Sequence, residues 1–376
     1  FAQAPEATLR AVMGFLGVFL PEDRRLGALA EVRLAAATSE RWAQQYLDRK
    51  QAGDESNPLP RIAHCRACPA TERGRSRDLM VTHEHAHRHR LHRISPHVHW
   101  LTPSAATDRP LLGAVSGERG TLVVDAGNSP AHVALFLREL AQASVPPPTF
   151  VALTHWHWDH VFGAHTFGVP VIASLGTQHV VAEMAQLDWS DEALDRRVAE
   201  GTEIAFCRDM MKLELPDRSD LVIRPPDIGF DSEVTLDLGG VTCCIVHVGG
   251  EHSADSSVVY VEEDRVLFLG DCLYEDLYSG PHSYTTAQLF PLLDRLLGFD
   301  ADWFLDAHNE EPPSRERMLA DAAQLRTIGC TVDRLGPDRE AVLSSLRATL
   351  GGPPKDDQVE IADAFLAGLA KAQPRR

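Results

Sequence analysis

Residues 151–161 read Val-Ala-Leu-Thr-His-Trp-His-Trp-Asp-His-Val, and they set the terms for the rest of the chain. The opening apolar residues predict a buried strand. His155, His157, Asp159 and His160 crowd immediately behind it. Imidazole nitrogen and carboxylate oxygen are ligands that zinc favours, and two His residues one apart at a strand end can turn toward a single ion. Without an ion, ionisable groups packed this closely repel one another or each need a separate partner. A divalent cation satisfies them together.

More residues of the same kind follow downstream. After another apolar strand comes Gly249-Gly250-Glu251-His252-Ser253-Ala254-Asp255-Ser256. Residues 265–270, Arg-Val-Leu-Phe-Leu-Gly, precede Asp271, and the apolar-rich run 303–307 ends at His308. Each of these residues stands directly after a strand-like run, which predicts that all of them gather on one edge of a sheet structure.

The ordered series, opened by the pattern HxHxDH, resembles the metallo-β-lactamase superfamily over residues 96–311 or so. The resemblance implies an α+β fold, the αββα sandwich of two sheets with helices outside, here with an N-terminal helical extension. It also implies a complete dinuclear ligand set. His155, His157 and His252 would hold one metal, Asp159, His160 and His308 a second, and Asp271 would bridge them. Asp125, in the Asp125-Ala126-Gly127 turn, would support the metal loops without binding metal. With two zinc ions the chemistry implied is hydrolysis by a metal-bound hydroxide, the metals stabilising the developing oxyanion. Iron or manganese in the same cage remains open, because availability and geometry decide metal selectivity.

Catalytic roles implied by the resemblance fall on Asp159, which would orient the nucleophile, and on Tyr274 or Tyr278 as oxyanion donors. His282 is a candidate substrate contact; His165 and His247 read as structural. Esters, lactones and thioesters all present an acyl carbon to such a nucleophile. β-Lactams are disfavoured, because Asp271 stands where zinc β-lactamases of the family use Cys or Ser. The alternatives carried forward are an iron-dependent oxygenase or oxidoreductase of the same fold, a phosphodiesterase or nuclease, and a non-catalytic sensor.

At 376 residues the chain is long enough for one large domain or two. Its 44% hydrophobic and 24% charged content is that of an ordinary globular protein. Lys and Arg number 36 against 54 Asp and Glu, a formal net charge of −18, which disfavours nucleic acid as a partner. The expected partners are a small-molecule substrate and a second copy of the chain in a homo-oligomer. Cys65, Cys68, Cys207, Cys243, Cys244, Cys272 and Cys330 show no disulfide framework, which points to a reduced, cytoplasmic setting. Cys65 and Cys68 have zinc or redox spacing but no second pair, and read as incidental; Cys272 reads as a packing residue. No run approaches the 18 apolar residues of a membrane span, and residues 11–20 read as a core helix segment rather than a signal sequence.

Four regions follow. Residues 1–50 predict a helical extension, and residues 51–95 a linker with a tract of His83, His85, His87, His89 and His92 interleaved with Arg. Residues 96–312 predict the catalytic domain, and 313–376 C-terminal helices packing on it. Within the third region we expect a hairpin of strands at 111–115 and 121–125, a helix over 130–142, and a long helical stretch over 177–217. The apolar Met184, Trp189, Phe206, Met210 and Met211 of that stretch belong to the core or to a lid over the metals.

Overall fold

The computed structural model describes residues 89–372. Predictions for the helical extension, Cys65, Cys68 and the first part of the His tract therefore lie outside the described residues. Seven strands form one sheet in chain order: β1 (Leu91–Arg93), β2 (Val98–Leu101), β3 (Leu112–Ser116), β4 (Thr121–Val124), β5 (Phe150–Ala152), β6 (Val171–Ser174) and β7 (Ile228–Phe230). The pairings from β1 to β4 are antiparallel and those from β4 to β7 parallel. A five-stranded sheet follows: β8 (Glu233–Asp237), β9 (Thr242–His247), β10 (Ser257–Val261), β11 (Val266–Gly270) and β12 (Trp303–Asp306). Here only β11 and β12 run parallel.

Parallel neighbours need crossovers, and helices supply them. Helix α1 (Pro130–Gln142) links β4 to β5. The short α2 (Trp158–Val161) and α3 (Ala164–Phe167) link β5 to β6, and α4 (Leu175–Met184), α5 (Asp191–Glu200) and α6 (Ala205–Glu214) link β6 to β7. Helix α7 (Thr286–Gly298) carries β11 to β12. The chain then continues into α8 (Arg315–Leu335), α9 (Arg339–Leu350) and α10 (Asp356–Ala372). The start of α1 shows why the sequence turns helical there. Ser129 caps it by accepting a hydrogen bond from the His132 amide, Pro130 occupies the first turn, and Val133, Phe136 and Leu140 fall on one buried face.

Three apolar layers result. Between the sheets, Trp100, Leu122 and Ile172 meet Ile245, Phe268 and Leu305. Outside the first sheet, Phe136, Phe162 and Met211 pack under α1–α6; outside the second, Leu292, Ile328 and Phe365 join α7, α8 and α10. The strands Ser-Val-Val-Tyr-Val (β10) and Val-Leu-Phe-Leu-Gly (β11) are almost wholly buried, as strands covered on both faces must be. The sheets approach so closely at Gly113 that a Cβ there would lie 2.3 Å from the Phe268 ring.

The structure is the expected αββα sandwich. It divides the stretch read as one helical run over 177–217 into α4, α5 and α6, each of the first two ending at a capped turn. It also places residues 91–93, read as linker, in the edge strand β1, where His92 stacks on Trp100 at 4.5 Å. Residues 91–93 are strand because they pair with β2 at the sheet edge. Among the described residues no helix is long and apolar enough to cross a membrane.

Candidate metal centre

The loops after β4, β5, β9, β11 and β12 all open on one edge of the sandwich, and backbone hydrogen bonds fasten them together there. Asp125 N donates to Ala152 O and Ala126 N to His160 O; Ser257 N donates to Thr154 O, and Ala307 N to Gly270 O. Gly270, at φ +54°, lets the β11 turn approach Thr154 so closely that a Cβ would sit 2.6 Å from its hydroxyl.

This edge gathers two groups of side chains suited to a metal ion. His155, His157 and His252 form one; Asp159, His160, Asp271 and His308 form the other. All are buried except His308, which is partly so. Asp271 stands between the groups. Its Oδ2 lies 4.0 Å from His155 Nε2, 3.4 Å from His252 Nε2 and 3.3 Å from His308 Nε2, and its Oδ1 lies 3.5 Å from His160 Nε2. Asp159 Oδ2 lies 3.2 Å from His160 Nε2 and 3.4 Å from His308 Nε2. Most of these spacings are long for hydrogen bonds, but ligand atoms about 2.0–2.1 Å from a shared tetrahedral ion lie about 3.3 Å from one another.

The second partners of the rings settle which nitrogen faces inward. Thr154 Oγ1 donates to the Asp125 carboxylate at 3.0 Å, so at 3.1 Å from His155 Nδ1 it accepts that ring's proton. His160 Nδ1 donates to Asp125 Oδ2 at 2.9 Å, and His252 Nδ1 to Glu275 O at 3.2 Å. All three rings thus turn Nε2 toward the centre. Asp125 reaches His160 directly and His155 through Thr154 from a φ of +63°, which Asp tolerates better than most residues.

The inward atoms have no partner in the protein. His155, His157, His160 and His252 Nε2 and Asp271 Oδ1 are all buried without a hydrogen bond. Leaving five such groups unpaired costs on the order of 5–15 kcal/mol, comparable to the whole stability of a domain. The residues fit a cation. In its absence burial keeps His155 and His157 neutral, their affinity for protons pushed down. Burial works against charge on His160 and His308 too, but the carboxylates of Asp159 and Asp271 outweigh it and hold both rings protonated. Asp271 is correspondingly held below the usual carboxylate range: burial opposes its charge, and His308 and His160 overcome that.

The remaining expected residues are placed as follows. Tyr274 has its ring 5.9 Å from His252 and 6.0 Å from His308, and its hydroxyl donates to Asp306 Oδ1 at 2.6 Å. The same Asp306 oxygen accepts the His308 amide. Tyr278 packs 5.4 Å from the His157 ring and donates to Glu203 Oε1 at 3.3 Å. His282 is exposed, His247 Nε2 meets the Ala254 carbonyl at 2.9 Å, and Cys272 is buried in the core outside the second sheet. Of the apolar residues considered for a lid, Met184 and Trp189 border a cavity beside the centre, whereas Phe206 is 54% exposed.

Sequence reading missed Asp108. Its Oδ1 lies 3.8 Å from His308 Nδ1, and burial, reinforced by Asp159, pushes its pKa up to about 7. Asn128 holds the loop by donating to the carbonyls of Thr107 and Asp108, and Glu214 clamps Arg109 through two oxygens. Only the positive φ of Asp108, +57°, marks it, and a lone Asp in a polar loop carries no signal in the sequence.

Comparison with known proteins gives a consistent picture. The Metallo-beta-lactamase superfamily model matches residues 112–308. A linear primary-alkylsulfatase from a Pseudomonas species is 22% identical over 231 residues, covering 54% of this chain and 42% of that protein. The chain thus spans less than half the length of that relative. Among solved structures, a metallo-beta-lactamase from Pontibacter korlensis is 21% identical with a TM-score of 0.43, covering 63% of this chain and 98% of that one. A beta-lactamase domain protein from Burkholderia ambifaria is 19% identical with a TM-score of 0.49, covering 76% and 90%.

Proposed function

Since this chain belongs to the metallo-beta-lactamase superfamily, we propose that its histidine and aspartate centre holds two divalent ions, zinc before iron or manganese, and hydrolyses a small ester, lactone or thioester. His155, His157 and His252 would hold one ion, Asp159, His160 and His308 the other, with Asp271 shared. The observation that carries this is the position of Asp271, within 4.0 Å of four histidine Nε2 atoms drawn from both groups. Zinc bound there would supply Lewis acidity, polarising a carbonyl and bringing the pKa of water toward neutrality.

The chain's own residues do the rest. Asp125 and Thr154 hold His160 and His155 with Nε2 inward, so these two rings need not reorganise during turnover. Asp159, buried and held ionised chiefly by His160 and His308 against the pull of burial, is the carboxylate we assign to orienting the nucleophile. Tyr274, through Asp306, fixes the backbone that carries His308. Direct donation from Tyr274 or Tyr278 to an oxyanion requires each hydroxyl to leave its present carboxylate. Trp156 packs edge-on against the His157 ring at 4.5 Å and helps to hold it in place.

A second reading rests on the alkylsulfatase likeness: the bond broken would be a primary alkyl sulfate ester. One experiment separates these readings. Elemental analysis of untagged protein purified without added metal should find close to two zinc per chain, followed by assay on lactones, thioesters, carboxylic esters, phosphodiesters and alkyl sulfates. About one iron per chain would instead redirect the search to oxygen-dependent chemistry. Replacing Asp159 and His160 together by Ala should leave one ion bound, abolish turnover and preserve the circular dichroism spectrum; activity with a single ion would sink the dinuclear mechanism.

A further inference from the structure

A histidine that meets an ion through Nε2 keeps its remaining proton on Nδ1, and that proton needs an acceptor. The Thr154 hydroxyl, the Asp125 carboxylate and the Glu275 carbonyl serve His155, His160 and His252 in this way. His308 turns Nδ1 toward a side chain that stands outside both ligand groups: Asp108 Oδ1, 3.8 Å away.

Asp108 lies on the loop from β2 to β3, and that loop is fastened along its length. Leu111 N donates at 2.6 Å to the carbonyl of Ala307, the residue before His308, and Ser104 and Arg109 exchange backbone hydrogen bonds at 2.8 and 2.9 Å. Asn128, wholly buried, donates through Nδ2 to the carbonyls of Thr107 at 2.7 Å and Asp108 at 3.3 Å. Arg109 is gripped in turn by both carboxylate oxygens of Glu214 on α6. These bonds hold Asp108 at φ +57°, a left-handed conformation that persists in a residue with a side chain only where its surroundings impose it.

The carboxylate placed there has no donor. Its side chain is only 17% exposed, no hydrogen bond from a described residue reaches it, and Asp159 and Asp271 lie close enough to repel it. His308 has the matching need. When it gives up its Nε2 proton to ligate an ion, the proton that stays on Nδ1 points at Asp108. At 3.8 Å the pair stands about 1 Å outside hydrogen-bond distance, and a cation among Asp159, His160 and His308 offsets the repulsion that keeps the carboxylate back. We propose that Asp108 is the positioning residue of the second ion: it accepts the Nδ1 proton of His308 and so sets how tightly the Asp159, His160 and His308 group holds its metal. This assignment rests on the two-ion reading above.

The test is a titration of zinc into the metal-free full chain in competition with a chromophoric chelator, for the parent, Asp108→Gly and Asp108→Asn. Glycine takes φ +57° without strain and removes the carboxylate; asparagine tolerates the same backbone and keeps an oxygen acceptor without the charge. Asp108→Gly should weaken one of the two zinc ions about 10–100-fold and leave the other unchanged, with Asp108→Asn lying between Asp108→Gly and the parent. Added to the Asp159→Ala and His160→Ala pair, which keeps only the site of His155, His157 and His252, Asp108→Gly should change nothing.

Unchanged affinity for both ions in Asp108→Gly overturns the assignment, and so does an equal loss at both sites, which would make the loop a support of the fold as a whole. Asp108→Asn no better than Asp108→Gly overturns it as well, because the effect would then be one of charge and not of an accepted proton. A parent chain that takes up a single ion fails the two-ion reading itself and the assignment with it, and is recognised before any variant is measured.

Discussion

At the scale of single residues, the centre depends on groups that never touch an ion. Asp125 is the clearest, since one carboxylate serves both His160 Nδ1 and the Thr154 hydroxyl that in turn receives His155. Asp125→Ala should lower zinc affinity by about 10–100-fold, measured by competition with a chromophoric chelator, with kcat falling only as far as metal is lost. Restoration of activity by excess zinc would identify the role as positioning; no recovery would mean that Asp125 takes part in the chemistry. His155, His157, Asp159 and His160 were legible in the sequence because they follow a single strand within one short stretch. Asp108 was not, because its closeness to His308, 200 positions away, leaves no local pattern.

At the scale of elements, the two sheets are held apart by the thickness of their side chains, and Gly113 on β3 marks where Phe268 on β11 needs the space of a missing Cβ. Gly113→Ala should destabilise the protein by about 1–3 kcal/mol through overpacking, read from urea denaturation midpoints. Phe268→Leu in the same chain should recover part of that loss, since the clash is with the ring. A Gly113→Ala protein as stable as the parent would show that the sheets slide apart freely. The helical stretch read over 177–217 illustrates a limit of periodicity. Ser190 caps α5 and Gly201 at φ +74° ends it, but these small polar residues look alike in a sequence whether they punctuate a helix or sit on its surface.

At the scale of the whole molecule, the centre joins the two halves of the sandwich. His155, His157, Asp159 and His160 leave the first sheet after β5; His252, Asp271 and His308 leave the second after β9, β11 and β12. Ions bound between them would link the sheets. With zinc present at about a hundred times its dissociation constant the stabilisation is about 2.7 kcal/mol per site, about 5 kcal/mol for the two proposed sites, so removing both ions with a chelator should lower Tm by about 10–20 °C. Far-UV circular dichroism at room temperature should not change, because the core between the sheets is built of apolar residues that need no ion. Collapse of the helical signal on chelation would show instead that metal is required for folding.

The sequence by itself determined the chemistry and the architecture: which residues could serve as ligands, their order along the chain, and a sandwich of two sheets with helices outside. Those features are written locally, in runs of apolar residues each followed at once by a His or Asp. Only the tertiary structure decided that Asp271 stands between both groups, that Asp125 orients two rings from one turn, and that Asp108 faces His308 from the loop between β2 and β3. These are meetings between distant segments, and their distances follow from how the sheets pack and where the crossover helices land.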